Sequence, residues 1–200
     1  CLAGTLRGER NVTFAQTGGT VRAWPLLSTF ASGSPITPSY SEVFYTMTGG
    51  TLYSKPTARG GYGLGLEVGG TARAYLSSTA DSVHHAVAYQ TSHTLRVKDD
   101  GYVRADYLDL AHYGGGTPTA RVELLGGALR VDNGFGYQHV TGAGSAKGEV
   151  VFDGGTFIAG SGGLLDVPLK NGIADARFET RVGSKGGAIR VMRTDDYGLN

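Results

Sequence analysis

The sequence predicts an all-β fold, a parallel β-helix of about seven coils, and three observations carry that expectation. A glycine doublet returns along the chain, at Gly18-Gly19, Gly49-Gly50, Gly69-Gly70, Gly126-Gly127, Gly154-Gly155 and Gly186-Gly187, with Asp100-Gly101 as a variant. Its second residues are 31, 20, 31, 26, 28 and 32 positions apart, which falls in the period range of solenoids and other repeat arrays. Apolar and polar residues alternate at period two on both sides of each doublet, the signature of half-buried strands. Glycine makes up 34 of the 200 residues and only 18% are charged, a composition that disfavours long helices.

The strands entering the doublets carry their apolar faces through Val43/Tyr45/Met47, Leu64/Leu66/Val68, Leu95/Val97, Val122/Leu124 and Val150/Phe152. The strands leaving them read Thr20-Val21-Arg22-Ala23, Thr71-Ala72-Arg73-Ala74, Tyr102-Val103-Arg104-Ala105, Ala128-Leu129-Arg130-Val131 and Ala188-Ile189-Arg190-Val191. Each puts its second and fourth residues on one face, because side chains alternate across a strand. Thr51-Leu52-Tyr53-Ser54 and Thr156-Phe157-Ile158-Ala159 keep the inward pair and replace the outward arginine.

Between the two strands the chain must turn sharply. Gly19, Gly50, Gly70, Gly101, Gly127, Gly155 and Gly187 are the expected corner residues, since glycine reaches positive φ without Cβ strain and Asp-Gly is a workable substitute. A unit of this size cannot bury its inward face alone and needs neighbours stacked above and below it. A β-propeller blade has a longer period, about 40 residues or more, so the spacing disfavours it. The best helical candidate, Ala80 to Tyr89, reads better as a strand alternating through Val83, His85, Val87 and Tyr89. With 40% apolar residues, residues 1–200 form one elongated domain, and no second domain is visible.

The formal net charge is +1, which gives no global reason to expect a nucleic-acid partner. No apolar run reaches the length of a transmembrane helix. Cys1 is the only cysteine, so an intrachain disulfide is excluded, and a solenoid held by stacking is compatible with an extracellular setting. Cys1 is expected to be either a fragment edge or the lipid-bearing residue of a processed lipoprotein.

The segment Gly148-Glu149-Val150-Val151-Phe152-Asp153-Gly154-Gly155-Thr156-Phe157-Ile158-Ala159, then Leu164-Leu165, and then Val182 through Gly186-Gly187-Ala188-Ile189-Arg190-Val191 resembles the autotransporter-associated β-strand repeat, also known as the passenger-associated transport repeat. Phenylalanine and Asn or Asp precede Gly-Gly-Thr in that family, and a Gly-Gly-Ala-hydrophobic segment follows about a coil later. The likeness covers roughly residues 148–192; elsewhere it is reduced to the Gly-Gly-Thr skeleton. It implies a right-handed parallel β-helix in a large secreted or surface-displayed bacterial protein, and it brings no catalytic residues with it.

The feature with most chemical content is the outward position after the doublets. Arg22, Arg73, Arg104, Arg130 and Arg190 occupy it in five of seven coils and Tyr53 in a sixth. Stacked rungs would line Arg73, Arg104 and Arg130 up one strand spacing apart, a repulsive arrangement unless acids or salt screen it. Asp106 and Asp132, two positions further on, could do so, while Trp24, Lys55 and Tyr75 hold that further position in the first coils. The stripe Arg22, Trp24, Tyr53, Arg73, Tyr75, Arg104, Arg130 and Arg190 is thus a candidate surface for an anionic polysaccharide or a neighbouring subunit. The plainer expectation is a solvated face whose long side chains shield the sheet.

Catalysis finds little support. The pairs Asp99-Asp100 and Asp195-Asp196 supply carboxylates without a convincing glycosidase site. Against the ordered motifs of polygalacturonases, Arg96-Val97-Lys98 and Thr194-Asp195-Asp196 stand in the wrong order and Gly-His-Gly is missing. His84 and His85 would point to opposite faces of a strand, and His93, His112 and His139 have no fixed register to them. No metal site, calcium-binding nonapeptide or cofactor is expected.

No polar cap is visible at either end of the pattern, which points to a longer repeat protein or a head-to-tail filament. The expected function is that of a non-enzymatic, extracellular or cell-surface structural module: a stalk, adhesin segment or fibre subunit whose partners are copies of itself or neighbouring β-helix segments. The alternative is a carbohydrate-active or carbohydrate-binding β-helix.

Overall fold

The computed structural model describes residues 2–8, 14–28, 45–56, 63–78, 85–88, 92–111, 119–136, 147–160 and 177–192. The regular elements among them are all strands. In chain order these are β1 (Leu2–Gly8), β2 (Phe14–Gln16), β3 (Thr20–Ser28), β4 (Tyr45–Met47), β5 (Thr51–Ser54), β6 (Leu66–Val68), β7 (Arg73–Leu76), β8 (His85–Ala88), β9 (His93–Ala111), β10 (Thr119–Gly136), β11 (Lys147–Phe152), β12 (Thr156–Ala159), β13 (Arg177–Val182) and β14 (Ala188–Val191).

Every pairing is parallel, and the pairings sort the strands into the walls of a β-helix. The strands that enter the glycine corners stack as β2-β4-β6-β9-β10-β11-β13. Those that leave them stack as β1-β3-β5-β7-β9-β10-β12-β14. A third wall is built from Gly63, β8 and the distal parts of β9 and β10. Among the described residues about four turns therefore carry all three walls, fewer than the seven coils expected from the doublets, although the two walls at the corner follow all seven.

Alternation places the core inside these walls. The entering wall sends in Tyr45, Leu66, Leu95, Val122 and Val150 as one column and Met47, Val68, Val97, Leu124 and Phe152 as the next. The leaving wall sends in Leu52, Ala74, Val103, Leu129 and Phe157 beside Ser54, Leu76, Ala105, Val131 and Ala159. All are buried. Such columns stabilise the stack because each apolar side chain is desolvated by the rungs above and below it, worth about 1.5–3 kcal/mol for a large residue. The third wall departs from simple alternation. His85, Ala86, Val87 and Ala88 are all buried, so the expected strand exists over 85–88 with both faces covered, and the rest of that candidate lies outside the described residues.

The corners are less uniform than the doublets suggested. Gly19, Gly50, Gly70 and Gly127 take positive φ as expected, but in the remaining coils that conformation falls on Asp99, Gly154 and Gly186. Asp99, at a φ of 54°, exploits the tolerance of Asp for the left-handed region. Gly101, Gly155 and Gly187 are required for another reason, close approach: a Cβ on Gly101 would sit 2.3 Å from the Val68 carbonyl oxygen, and one on Gly155 or Gly187 would press on Leu124 or Phe152 at 2.7 Å.

The first corner has a buried polar clamp. The Tyr45 hydroxyl donates to Gln16 Oε1 at 2.9 Å, and Gln16 Nε2 donates to the Gly18 and Gly19 carbonyls at 3.1 Å and to that of Thr51 at 3.3 Å. Burial pushes the Tyr45 phenol up. At the last described rung, Val182, Ile189 and Val191 continue the register of Phe152, Phe157 and Ala159 but are 70%, 57% and 56% exposed.

Candidate functional site

Two ladders run along the outside of the walls, and only one of them lies where the arginine pattern pointed. On the leaving wall the column facing outward reads Arg22, Tyr53, Tyr75, Arg104, Arg130, Ile158 and Arg190. Arg73 is not in it. In the third coil the chain makes an extra turn after the doublet, closed by the Ala72 N–H donating to the Gly69 carbonyl at 3.1 Å, and β7 begins two residues late. Arg73 consequently pairs with Tyr102, and Tyr75 takes the place between Tyr53 and Arg104. The same shift puts Ala74 and then Leu76 inside, so that the large residue of this coil packs between the small Ser54 and Ala105. The side chain of Trp24 lies outside the described residues.

The stripe divides chemically into two halves. In the first half the rings and cations contact one another. The Arg22 guanidinium lies 4.6 Å from the Tyr53 ring centre, Tyr53 stacks on Tyr75 at 5.1 Å with planes 14° apart, Tyr75 meets Tyr102 edgewise at 6.5 Å, and Arg73 lies 5.3 Å from the Tyr102 centre. Burial pushes the Tyr102 phenol up. In the second half Arg104 and Arg130, Cα partners on adjacent rungs, both donate through Nε to the buried Asp132 carboxylate, at 2.7 and 2.5 Å. Asp132 thus supplies the screening expected of it, whereas Asp106 accepts from the Ser78 N–H at 2.8 Å.

Replacing Asp132 by asparagine removes the charge that the two guanidiniums share. We expect a loss of about 1–2 kcal/mol in chemical denaturation at low ionic strength, because the pair is part-exposed. Added salt should recover part of it by screening the repulsion between Arg104 and Arg130. A loss independent of salt would show that Asp132 acts through packing.

The second ladder, on the entering wall, was missed in the sequence. It runs through alternating charges across five strands: Lys98 to Glu67 at 2.7 Å, Glu67 to Arg96 at 2.9 Å, Arg96 to Glu123 at 2.5 Å, Glu123 to Arg121 at 2.7 Å, Arg121 to Glu149 at 3.5 Å, Glu149 to Arg181 and Arg181 to Glu179 each at 3.1 Å. Register creates it, since Glu67, Arg96 and Glu123 are successive Cα partners and so are Arg121, Glu149 and Glu179. Arg96-Val97-Lys98, the segment weighed against polygalacturonases, therefore holds Glu67 between two cations.

Burial of Glu67 works against its ionisation, but hydrogen bonds from Lys98 and Arg96 outweigh burial and hold its carboxyl below the usual carboxylate range. The Arg96 guanidinium loses some of its preference for charge to burial and regains more from Glu67 and Glu123. The sign of the linkage follows. A carboxyl whose folded pKa is depressed stabilises the fold above its unfolded pKa, about 4.3, and that contribution is lost as pH falls through the folded value. Glu67→Gln should therefore cost about 1–2 kcal/mol at neutral pH. The gap to wild type in thermal unfolding should close as the solution is made more acidic than the ordinary carboxylate range; a gap constant with pH would assign the loss to geometry rather than charge.

The other candidates are scattered. His85 Nε2 lies 3.3 Å from the Ser54 carbonyl oxygen, and His93 is buried beside Gly63. His84, His112, His139, Asp195 and Asp196 lie outside the described residues. Among the described residues no group of three His, Cys, Asp or Glu side chains is placed to share a metal ion, and no helix is long and apolar enough to cross a membrane. Asp99 and Asp100 are exposed at their corner, and Asp99 Oδ2 lies 3.5 Å from the Gly70 N–H. Compared with protein-family models, with curated proteins and with solved structures, the chain finds no match.

Proposed function

We propose that this parallel β-helix is a non-enzymatic structural module of an extracellular or cell-surface protein, a stalk, adhesin segment or fibre subunit of the kind the autotransporter-associated repeat builds. The observation that carries the reading is that Glu67, Glu123, Glu149 and Asp132 are each engaged by at least two cations of their own ladder. A general acid in glycoside hydrolysis needs a raised pKa and a facing carboxylate, whereas Glu67 is shifted the other way. Side chains spent on joining rung to rung serve a rod, not a reaction.

The partners on this reading are neighbouring β-helix segments or further copies of the chain. Another rung laid on β13 and β14 would cover Val182, Ile189 and Val191. A longer stack gains further hydrogen-bonded rungs without new kinds of contact.

The test is turnover. The purified chain, incubated with uronate-containing and neutral polysaccharides, should release neither reducing ends nor unsaturated products, and electron microscopy should show rods. Cleavage that disappears when one carboxylate is replaced would overturn the structural reading in favour of the carbohydrate-active one.

A further inference from the structure

The two halves of the leaving-wall ladder differ in what their cations have left to offer. Arg104 and Arg130 share Asp132. Arg22 and Arg73 are exposed, and among the described residues their contacts are the faces of Tyr53 and Tyr102. A guanidinium held against a ring keeps its N–H donors for a carboxylate or sulfate, and it loses less freedom on binding than one waving in solvent. We propose that Arg22 and Arg73, set in the Tyr53-Tyr75-Tyr102 cluster, form a binding surface for an anionic polysaccharide.

Spacing selects a polymer. Arg22 stands on the rung below Tyr53 and Arg73 on the rung above it, so the two guanidiniums start two strand spacings, about 10 Å, apart along the axis. One small anion does not bridge that gap; a chain with repeated acidic groups does. Ring geometry selects the kind of polymer. Tyr53 has Arg22 on one side and Tyr75 on the other, so its faces are closed to the base stacking that holds single-stranded nucleic acid. What the cluster leaves at the surface is the exposed Tyr53 with the half-buried Tyr75 and Tyr102, and Thr51 beside Arg73 on the neighbouring rung. Hydroxyl-rich sugars with carboxylates or sulfates match that mixture of donors. The whole chain, at +1, has no broad field that would attract any polyanion indiscriminately.

The surface does not depend on the structural role proposed above, and turnover of a polysaccharide would overturn that role without touching this one. Polygalacturonate is the probe, titrated onto the full chain by calorimetry at low and moderate salt, with dextran as the neutral control and oligo(dT) as the competing polyanion. Wild type should bind polygalacturonate in a salt-dependent manner and dextran not at all. The Arg22→Ala/Arg73→Ala double variant should lose at least tenfold in affinity with an unchanged circular dichroism spectrum, while Lys185→Ala, which removes an exposed cation at the last corner and outside the stripe, should bind as wild type does. If the double variant loses its native spectrum, Arg22→Gln/Arg73→Gln, which removes the charge and keeps much of the stem, is read in its place. No binding of polygalacturonate, equal binding of dextran, tighter binding of oligo(dT), or a charge-removed variant that binds as well as wild type would each overturn the proposal.

Discussion

Gly127→Val should abolish cooperative folding of this chain, the largest effect expected of any single substitution at the described corners. Gly127 has a φ of 58°, and a Cβ placed on it would lie 2.2 Å from the carbonyl oxygen of Gly101 on the rung below. The left-handed conformation alone costs an ordinary residue about 1–2 kcal/mol, and a β-branched one more. The clash is worse, because the obstructing atom is backbone, fixed by its own rung and unable to rotate away. Together they should exceed about 4 kcal/mol, a large part of the 5–15 kcal/mol that stabilises an ordinary domain. Gly18→Ala is the control. A Cβ there meets nothing within 4 Å and its backbone is not left-handed, so its unfolding midpoint should stay close to wild type. Equal damage from both would mean that the corners are sensitive to any side chain rather than to rung-to-rung contact.

Removing Arg96 should have the next largest effect. Its guanidinium is the joint between Glu67 and Glu123, whose side chains are 12% and 9% exposed, while its own is 31% exposed. Arg96→Ala leaves two poorly hydrated carboxylates facing the same gap. Breaking a buried pair on one side costs about 3–5 kcal/mol. Here Lys98 still reaches Glu67 and Arg121 still reaches Glu123, so about 2–3 kcal/mol is expected in denaturant unfolding. The double variant Arg96→Ala/Glu67→Gln should recover part of that loss. Strict additivity of the two would show that they do not interact through charge.

Both predictions depend on residues whose importance was unequally visible beforehand. Gly127 announced itself as part of a recurring doublet. Glu67, Glu123 and Glu149 occur singly in their strands, and nothing in any one strand says that an arginine of the next rung will face them. Their signal was only that outward positions of the entering strands repeatedly hold Glu or Arg, a pattern that gains meaning once the rungs are aligned.

The sequence by itself determined that the chain is a parallel β-helix, which face of the strands beside the glycine corners is buried, and near which doublets the chain turns. Those properties are local: alternation follows from the pleat, and glycine is needed wherever a turn must be tight. Tertiary structure alone decided the lateral register. Period-two alternation is blind to a slip of two residues, because such a slip leaves every side chain on its own face. Packing between Ser54 and Ala105 places Leu76, in the stead of Ala74, as the second inward residue of the third coil. That slip takes Arg73 out of line with Arg104 and brings Tyr75 onto Tyr53, turning an expected file of arginines into a cluster of cations on rings. Whether the fourth corner takes its positive φ at Gly101 or at Asp99 was settled in the same way, by one extra residue on β9 between partners that meet β10 on either side of Gly127.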